Sequence, residues 1–157
     1  MVFLKSLIAA TVFLGFWLWY VPFRWLDADA SAITGWRLIP GGGLLLTGSL
    51  LTALCVLSFA RIGRGTPAPM DPPKHLVETG PYRWVRNPMY LGLGLLLLGE
   101  AILLGSVRIL VLIAVLFALL HAFITWYEEP ALERKFGDDY RAYRKRVHRW
   151  IPRRPGG

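Results

Sequence analysis

"NPMYLGLGLLLLGEAILLGSVRILVLIAVLFALLHAFITWYEE", residues 87–129, holds two apolar runs separated by only a few residues. The first extends from Met89 to about Gly105 and is interrupted by Glu100. The second, Ile109 to Tyr127, has no formally charged residue apart from titratable His121. Each is near the roughly 17–25 residues that cross the hydrocarbon of a bilayer as a helix. Gly99, Gly105 and Ser106 mark a short turn before Val107, so the two runs are expected to form an antiparallel hairpin. At its entrance Pro88 suits a first helical position, and Asn87 is expected to cap the exposed backbone donors.

Two more charge-free runs precede this hairpin, Ser6 to Phe23 and Leu38 to Ala60. The first resembles a signal peptide, but it continues through Trp17, Trp19, Tyr20 and Phe23 with no small-residue cleavage pattern close behind, so it is read as a retained helix. Its aromatic end suits a membrane interface. In the second, Pro40 and Gly41-Gly42-Gly43 are poor helix formers, which places the start of regular helix around Leu44. The expected fold class is therefore all-α: a polytopic membrane protein with four transmembrane helices and a short amphipathic cytoplasmic helical segment at the C-terminus.

Composition agrees. Hydrophobic residues make up 55% of the 157 and charged residues 18%, a membrane-protein balance. The net charge of +8 does not call for nucleic acid, because the basic residues cluster beside the apolar runs. With four crossings, 15 of the 18 Lys and Arg residues fall on one side, leaving Arg24, Arg37 and Arg108 opposite. That bias puts both termini in the cytoplasm. The single cysteine, Cys55, lies inside an apolar run and offers neither a disulfide nor a metal cluster. No metal site is expected.

The whole chain, 1–157, is read as one domain, with residues 1–60 as an N-terminal two-helix portion. Between Arg61 and Tyr82 the chain turns polar and proline-rich, against regular helix. After the fourth run, helix is expected from Pro130 to Phe136, a pause at Gly137, and helix again from about Asp138 to Val147. There Tyr140, Tyr143 and Val147 form a face suited to the headgroup region.

Two constellations can carry chemistry. One is "GPYRWVRNPMYLG", residues 80–92, where Arg86, Asn87 and Tyr90 gather at a helix entrance and Gly92 and Gly94 permit close approach. As plain structure, the same stretch is an interfacial cap with a packing notch. The other is Glu128-Glu129, at a helix end where carboxylates oppose the dipole and need partners: nearby arginines or a cationic ligand. His121 and Thr125 lie close to the same helical face as Glu128. Glu100 is expected to pair with Arg108 across the hairpin turn. In the tail, Arg149 can hold a carboxylate or phosphate, and Trp150 can cover an apolar group.

In order and spacing these pieces resemble the isoprenylcysteine carboxyl methyltransferase family and its phospholipid N-methyltransferase relatives, over roughly residues 74–153. The matching signature is Gly80 to Gly92, then a hairpin, Glu128-Glu129, a Tyr-rich segment and a terminal Arg-Trp-Ile-Pro. Asn87 stands where many relatives carry His. The resemblance implies S-adenosylmethionine as methyl donor, with Arg86, Asn87, Tyr90, Gly92, Gly94, Glu128, Glu129 and Arg149 bordering it. It also implies catalytic assistance from Glu128, Glu129, His121 and Arg86, with Tyr82, Trp126, Tyr140 and Trp150 on the acceptor side. The implied acceptor is a lipid-like or isoprenoid molecule with a carboxylate, amine or thiol. The implied setting is a bacterial or archaeal plasma membrane, among membrane lipids and without nucleic acid. A reductase using reduced nicotinamide cofactor and a noncatalytic four-helix scaffold are the competing readings.

Overall fold

The computed structural model describes residues 35–63 and 74–152, with isolated positions 15, 16, 20, 21 and 33 before them. The expected Ser6–Phe23 helix lies almost wholly outside these residues. Four helices are described: α1 (Gly35–Ser58), α2 (Pro88–Leu104), α3 (Val107–Phe123) and α4 (Glu129–Arg146). Among the described residues there is no strand. Two helical runs are long and apolar enough to cross a membrane, Gly35–Ile62 and Val107–Arg146, and Pro88–Leu104 is a shorter apolar helix.

α1 begins at Gly35 and passes straight through Pro40 and the three glycines, nine residues earlier than propensity suggests. Packing overrides propensity here. A Cβ on Gly41 would stand 3.0 Å from the Gly99 carbonyl, and one on Gly48 would stand 2.8 Å from that of Gly92. The pairing of 41 with 99 and 48 with 92 runs α1 antiparallel to α2, with two backbone contacts seven residues apart on each helix. Small residues at such crossings are what lets apolar helices associate without a hydrophobic driving force. Gly42 and Gly43 face open space, so their cost is not recovered locally.

The α2–α3 hairpin forms as expected. Gly105 is left-handed (φ 60°), its N–H donates to Ile102 O, and Ser106 N–H donates to Ala101 O at 3.0 Å, the two bonds of a Schellman close. The Ser106 hydroxyl then accepts from Ile109 N–H at 3.4 Å and starts α3. Leu93, Leu97, Ala101 and Leu104 pack on Ile109 and Leu116 along the seam. Glu100 is buried on α2, and its Oε2 makes no hydrogen bond among the described residues.

α3 continues through a π-type turn, Ile124–Glu128, into α4 without a break. Wide turns of this kind re-aim side chains and recur at functional sites. The expected pause at Gly137 is a sharp kink, with φ 56° and ψ −125°. The Tyr140, Tyr143 and Val147 face is turned to the protein rather than to lipid. It is buried against Leu76, Leu132 and Phe136, because the kink folds the second half of α4 back onto the protein.

Candidate functional site

The site is built where three segments meet: the entrance to α2, the π-type turn, and the chain after α4. Gly80, left-handed at φ 61°, opens a single 3-10 turn over Gly80–Arg83. The carbonyl of Tyr82 in that turn accepts the Tyr143 hydroxyl at 2.7 Å, which fixes the turn to α4. Two further bonds hold the tail. Arg86 N–H donates to His148 O at 2.9 Å, and the Asn87 side chain donates to Arg149 O at 3.3 Å. Asn87 therefore does not cap α2 with its side chain, as the sequence suggests; its amide is turned toward the tail. Pro88 does occupy the start of α2.

The two neighbouring glutamates have different surroundings. Glu129 is buried, with 7% of its side chain exposed, and is saturated with cations. Arg149 holds it through two parallel bonds, Nε to Oε1 at 2.9 Å and Nη2 to Oε2 at 2.8 Å. Arg86 Nη1 approaches Oε1 at 3.1 Å. The remaining Arg149 nitrogen, Nη1, donates to the Thr125 hydroxyl at 2.9 Å. This fork geometry is the strong form of the ion pair, and the bonds to Glu129 raise the Arg149 pKa.

Glu128 has no ion pair among the described residues. Its Oε2 accepts the Tyr90 hydroxyl at 3.1 Å. Burial lifts its pKa above the usual carboxylate range; the Tyr90 bond opposes that shift, and repulsion from Glu129 adds to it. Tyr140, buried beneath the cluster, has its phenol pushed up to about 12 by burial first and then by Glu129.

Arg86, Asn87, Tyr90, Glu128, Glu129 and Arg149 are thus brought together. His121 and Trp150 form a second, adjoining group: Trp150 Nε1 donates to His121 Nδ1 at 3.1 Å, and its ring packs on Phe117 at 5.5 Å. Gly92 and Gly94 sit at helix crossings, Gly92 against Gly48 and Thr52 of α1 and Gly94 against Phe117 of α3. Tyr82 is core, packed on Cys55 and edge-on to Phe59. Tyr140 is likewise core. Trp126 stands 80% exposed, on the outer side of the helical run that also bares Leu119 and Phe123. Arg83 lies over the Trp84 ring rather than at the glutamates. Tyr143 was not singled out as a site residue by sequence, and Thr125 was placed on the face of Glu128 but serves Arg149, the partner of Glu129. For Thr125 a signal existed, since it lies four residues before Glu129 and so on its face.

An uncharacterized protein of Haemophilus influenzae is 38% identical over 63 residues, which is 40% of this chain and the whole of that protein. The protein-S-isoprenylcysteine O-methyltransferase of Schizosaccharomyces pombe is 42% identical over 78 residues, 49% of this chain. The chain spans only 33% of that enzyme's length. No solved structure matches significantly. The phospholipid methyltransferase profile matches residues 36–139, a stretch that holds α1, the hairpin and both glutamates. With that stretch covering well over half of its length, the chain belongs to the phospholipid methyltransferase family.

Proposed function

We propose that this protein transfers a methyl group from S-adenosylmethionine to an amphipathic, lipid-like or isoprenoid acceptor at the cytoplasmic face of a membrane. The observation that carries the reading is the contrast between the glutamates. Glu129 has two guanidinium partners, whereas Glu128 has a neutral one, Tyr90, and no cation among the described residues. A half-buried carboxylate without a cation suits a positively charged ligand. Arg86 adds the opposite end of the fit: its Nε is buried with no hydrogen-bond acceptor, which suits an anionic group. A ligand with both charges, as S-adenosylmethionine has, matches these residues.

When bound, the donor supplies an electrophilic methyl group on a sulfonium. The chain's own part is to bind and align. Glu128 offsets positive charge, Tyr90 holds the Glu128 carboxylate in one orientation, and Arg86 offers a donor to a carboxylate. The doubly held Glu129 keeps Arg86 and Arg149 in place, so that this geometry exists before the ligand arrives. Burial by α2 and the tail strengthens each of these interactions by excluding water. An acceptor carboxylate needs no base. An amine or thiol acceptor must give up a proton, for which Glu128 is the nearest unpaired carboxylate in the cluster. The exposed apolar side of α3, with Leu119 and Phe123, supports lateral entry of an acceptor from the bilayer.

Calorimetric titration of purified protein with S-adenosylmethionine, its demethylated product and reduced nicotinamide cofactor tests the reading. Saturable binding of the first two, lost in Glu128→Gln, is the expected result. Binding of the nicotinamide alone would replace methyl transfer by reduction, and binding of none by a folded sample would leave a scaffold.

A further inference from the structure

The Gly137 kink creates a feature that methyl transfer does not use. Arg144 lies eleven residues after Glu133, roughly 16 Å along a straight helix at the α-helical rise. Yet Arg144 Nη1 reaches Glu133 Oε2 at 3.3 Å, and Arg141 Nε reaches Oε1 at 2.7 Å. The two arms of α4 therefore close into a V. Between them lies an open cleft of about 480 Å³, with Glu133 and Arg134 on one arm, Arg141 and Arg144 on the other, and Thr125 and Arg149 toward its floor.

Its charges do not balance. Four arginines line the cleft against two glutamates, Glu129 and Glu133. Both carboxylates are already shared: Glu129 between Arg86 and Arg149, Glu133 between Arg141 and Arg144. Arg134 is exposed on the rim and has no ion pair among the described residues. Arg141 also pairs through Nη1 with Asp138 Oδ1 at 2.9 Å, so the four arginines exceed their carboxylate partners by one, and Arg134 and Arg144 hold the guanidinium nitrogens left for an oxyanion.

Position selects the kind of anion. The cleft follows directly on the apolar run that ends at Tyr127, which on a membrane-spanning reading of that run sets it near the headgroups, and the same run bares Leu119, Phe123 and Trp126 before it. An occupant with an apolar tail and a phosphate at its polar end matches both surfaces. We propose that the α4 cleft is a binding site for the phosphate of an anionic membrane phospholipid, which seats the kinked helix on the membrane surface. This site is separate from the reading of Glu128 and Tyr90, although it shares Arg149 and Glu129 at its floor.

The test is native mass spectrometry of the full chain in neutral detergent, titrated with phosphatidylglycerol. Saturable retention of one lipid is expected. Arg134→Gln with Arg144→Gln should weaken it roughly 30-fold, whereas Glu133→Gln, which removes a competing carboxylate, should tighten it roughly fivefold. The gain guards against a loss caused by misfolding. The charge-matched pair Lys135→Gln with Lys145→Gln, outside the cleft, should change nothing. Equal loss in that control, unchanged retention in the arginine variant, or no gain in Glu133→Gln would overturn the proposal. So would full displacement by an equal concentration of inorganic phosphate, which would make this a free-anion site. Donor titration of the same arginine variant separates the two sites: unchanged donor affinity is expected, and its loss would assign the cleft to the donor instead.

Discussion

The Tyr90 hydroxyl donates to Glu128 Oε2 at 3.1 Å across 38 residues of sequence. It joins the first turn of α2 to the turn that follows α3, so the hairpin returns the chain to the face where it entered. Phenylalanine at 90 keeps the packing and removes this bond. Since a hydrogen bond to a charged group contributes about 1.5–3 kcal/mol, Tyr90→Phe should weaken S-adenosylmethionine binding by roughly ten- to a hundredfold. Stability in thermal unfolding should fall by no more than that same contribution, with the variant still folded. A titration of the variant showing unchanged affinity would remove Tyr90 from the donor site.

Protonation of Glu128 gives the pH dependence. Its folded pKa lies above the ordinary carboxylate value because burial disfavours the charge. The folded chain therefore holds this proton more tightly than the unfolded chain. Its contribution to stability is greatest at low pH and is lost as pH rises through the raised value. Cation affinity runs the other way: it should increase with pH across the window from the ordinary carboxylate range up to the raised value. In Glu128→Gln that dependence should flatten. Affinity measured for both proteins across this window checks the sign.

Much of this was legible in the sequence because it is local. The hairpin turn follows from Gly105 and Ser106, the kink from Gly137, and the pairing of residues 80–92 with Glu128-Glu129 from the return of a hairpin to its starting face. What sequence concealed was side-chain direction over long separations. Asn87 has a cap's position but bonds the Arg149 carbonyl, 62 residues away. Gly92 and Gly94 resemble ligand notches, yet they are filled by Thr52 and Phe117 of neighbouring helices. Pro40 and its glycines read as a helix breaker because propensity weighs single residues, while the α1–α2 crossing depends on which of those glycines faces a partner. Neither periodicity nor composition separates the saturated Glu129 from the cation-free Glu128.

Alanine substitutions at the glycines make the facing of the α1–α2 crossing measurable. Alanine at Gly48 would place its Cβ 2.8 Å from the Gly92 carbonyl, and alanine at Gly92 would sit 2.5 Å from Thr52 Oγ1. Each should cost about 1–3 kcal/mol through overpacking. Gly42→Ala and Gly43→Ala meet nothing within 4 Å and replace a poor helix former, so each should be neutral or stabilise by up to about 1 kcal/mol. Thermal unfolding in one detergent ranks the four, and a destabilised Gly43→Ala would contradict the crossing.

Glu129 should act as the keystone of the cluster rather than as a catalytic group. Its carboxylate is the common partner of Arg86 and Arg149, and those arginines lie in segments joined by the bonds from residues 86 and 87 to the tail. Glu129→Ala leaves two guanidinium groups partly buried without their counter-charge, and breaking a buried pair in this way costs about 3–5 kcal/mol. The tail should loosen with it, because Arg149 retains only Thr125 as a side-chain acceptor. A large fall in unfolding temperature is therefore expected, together with faster proteolysis after Arg146. Glu128→Ala should cost clearly less and leave the tail in place, since it removes a single bond to a neutral hydroxyl and relieves the burial of a carboxylate. Equal destabilisation by the two alanines would show that Glu128 is structural as well, and the division of labour between the neighbouring glutamates would fail.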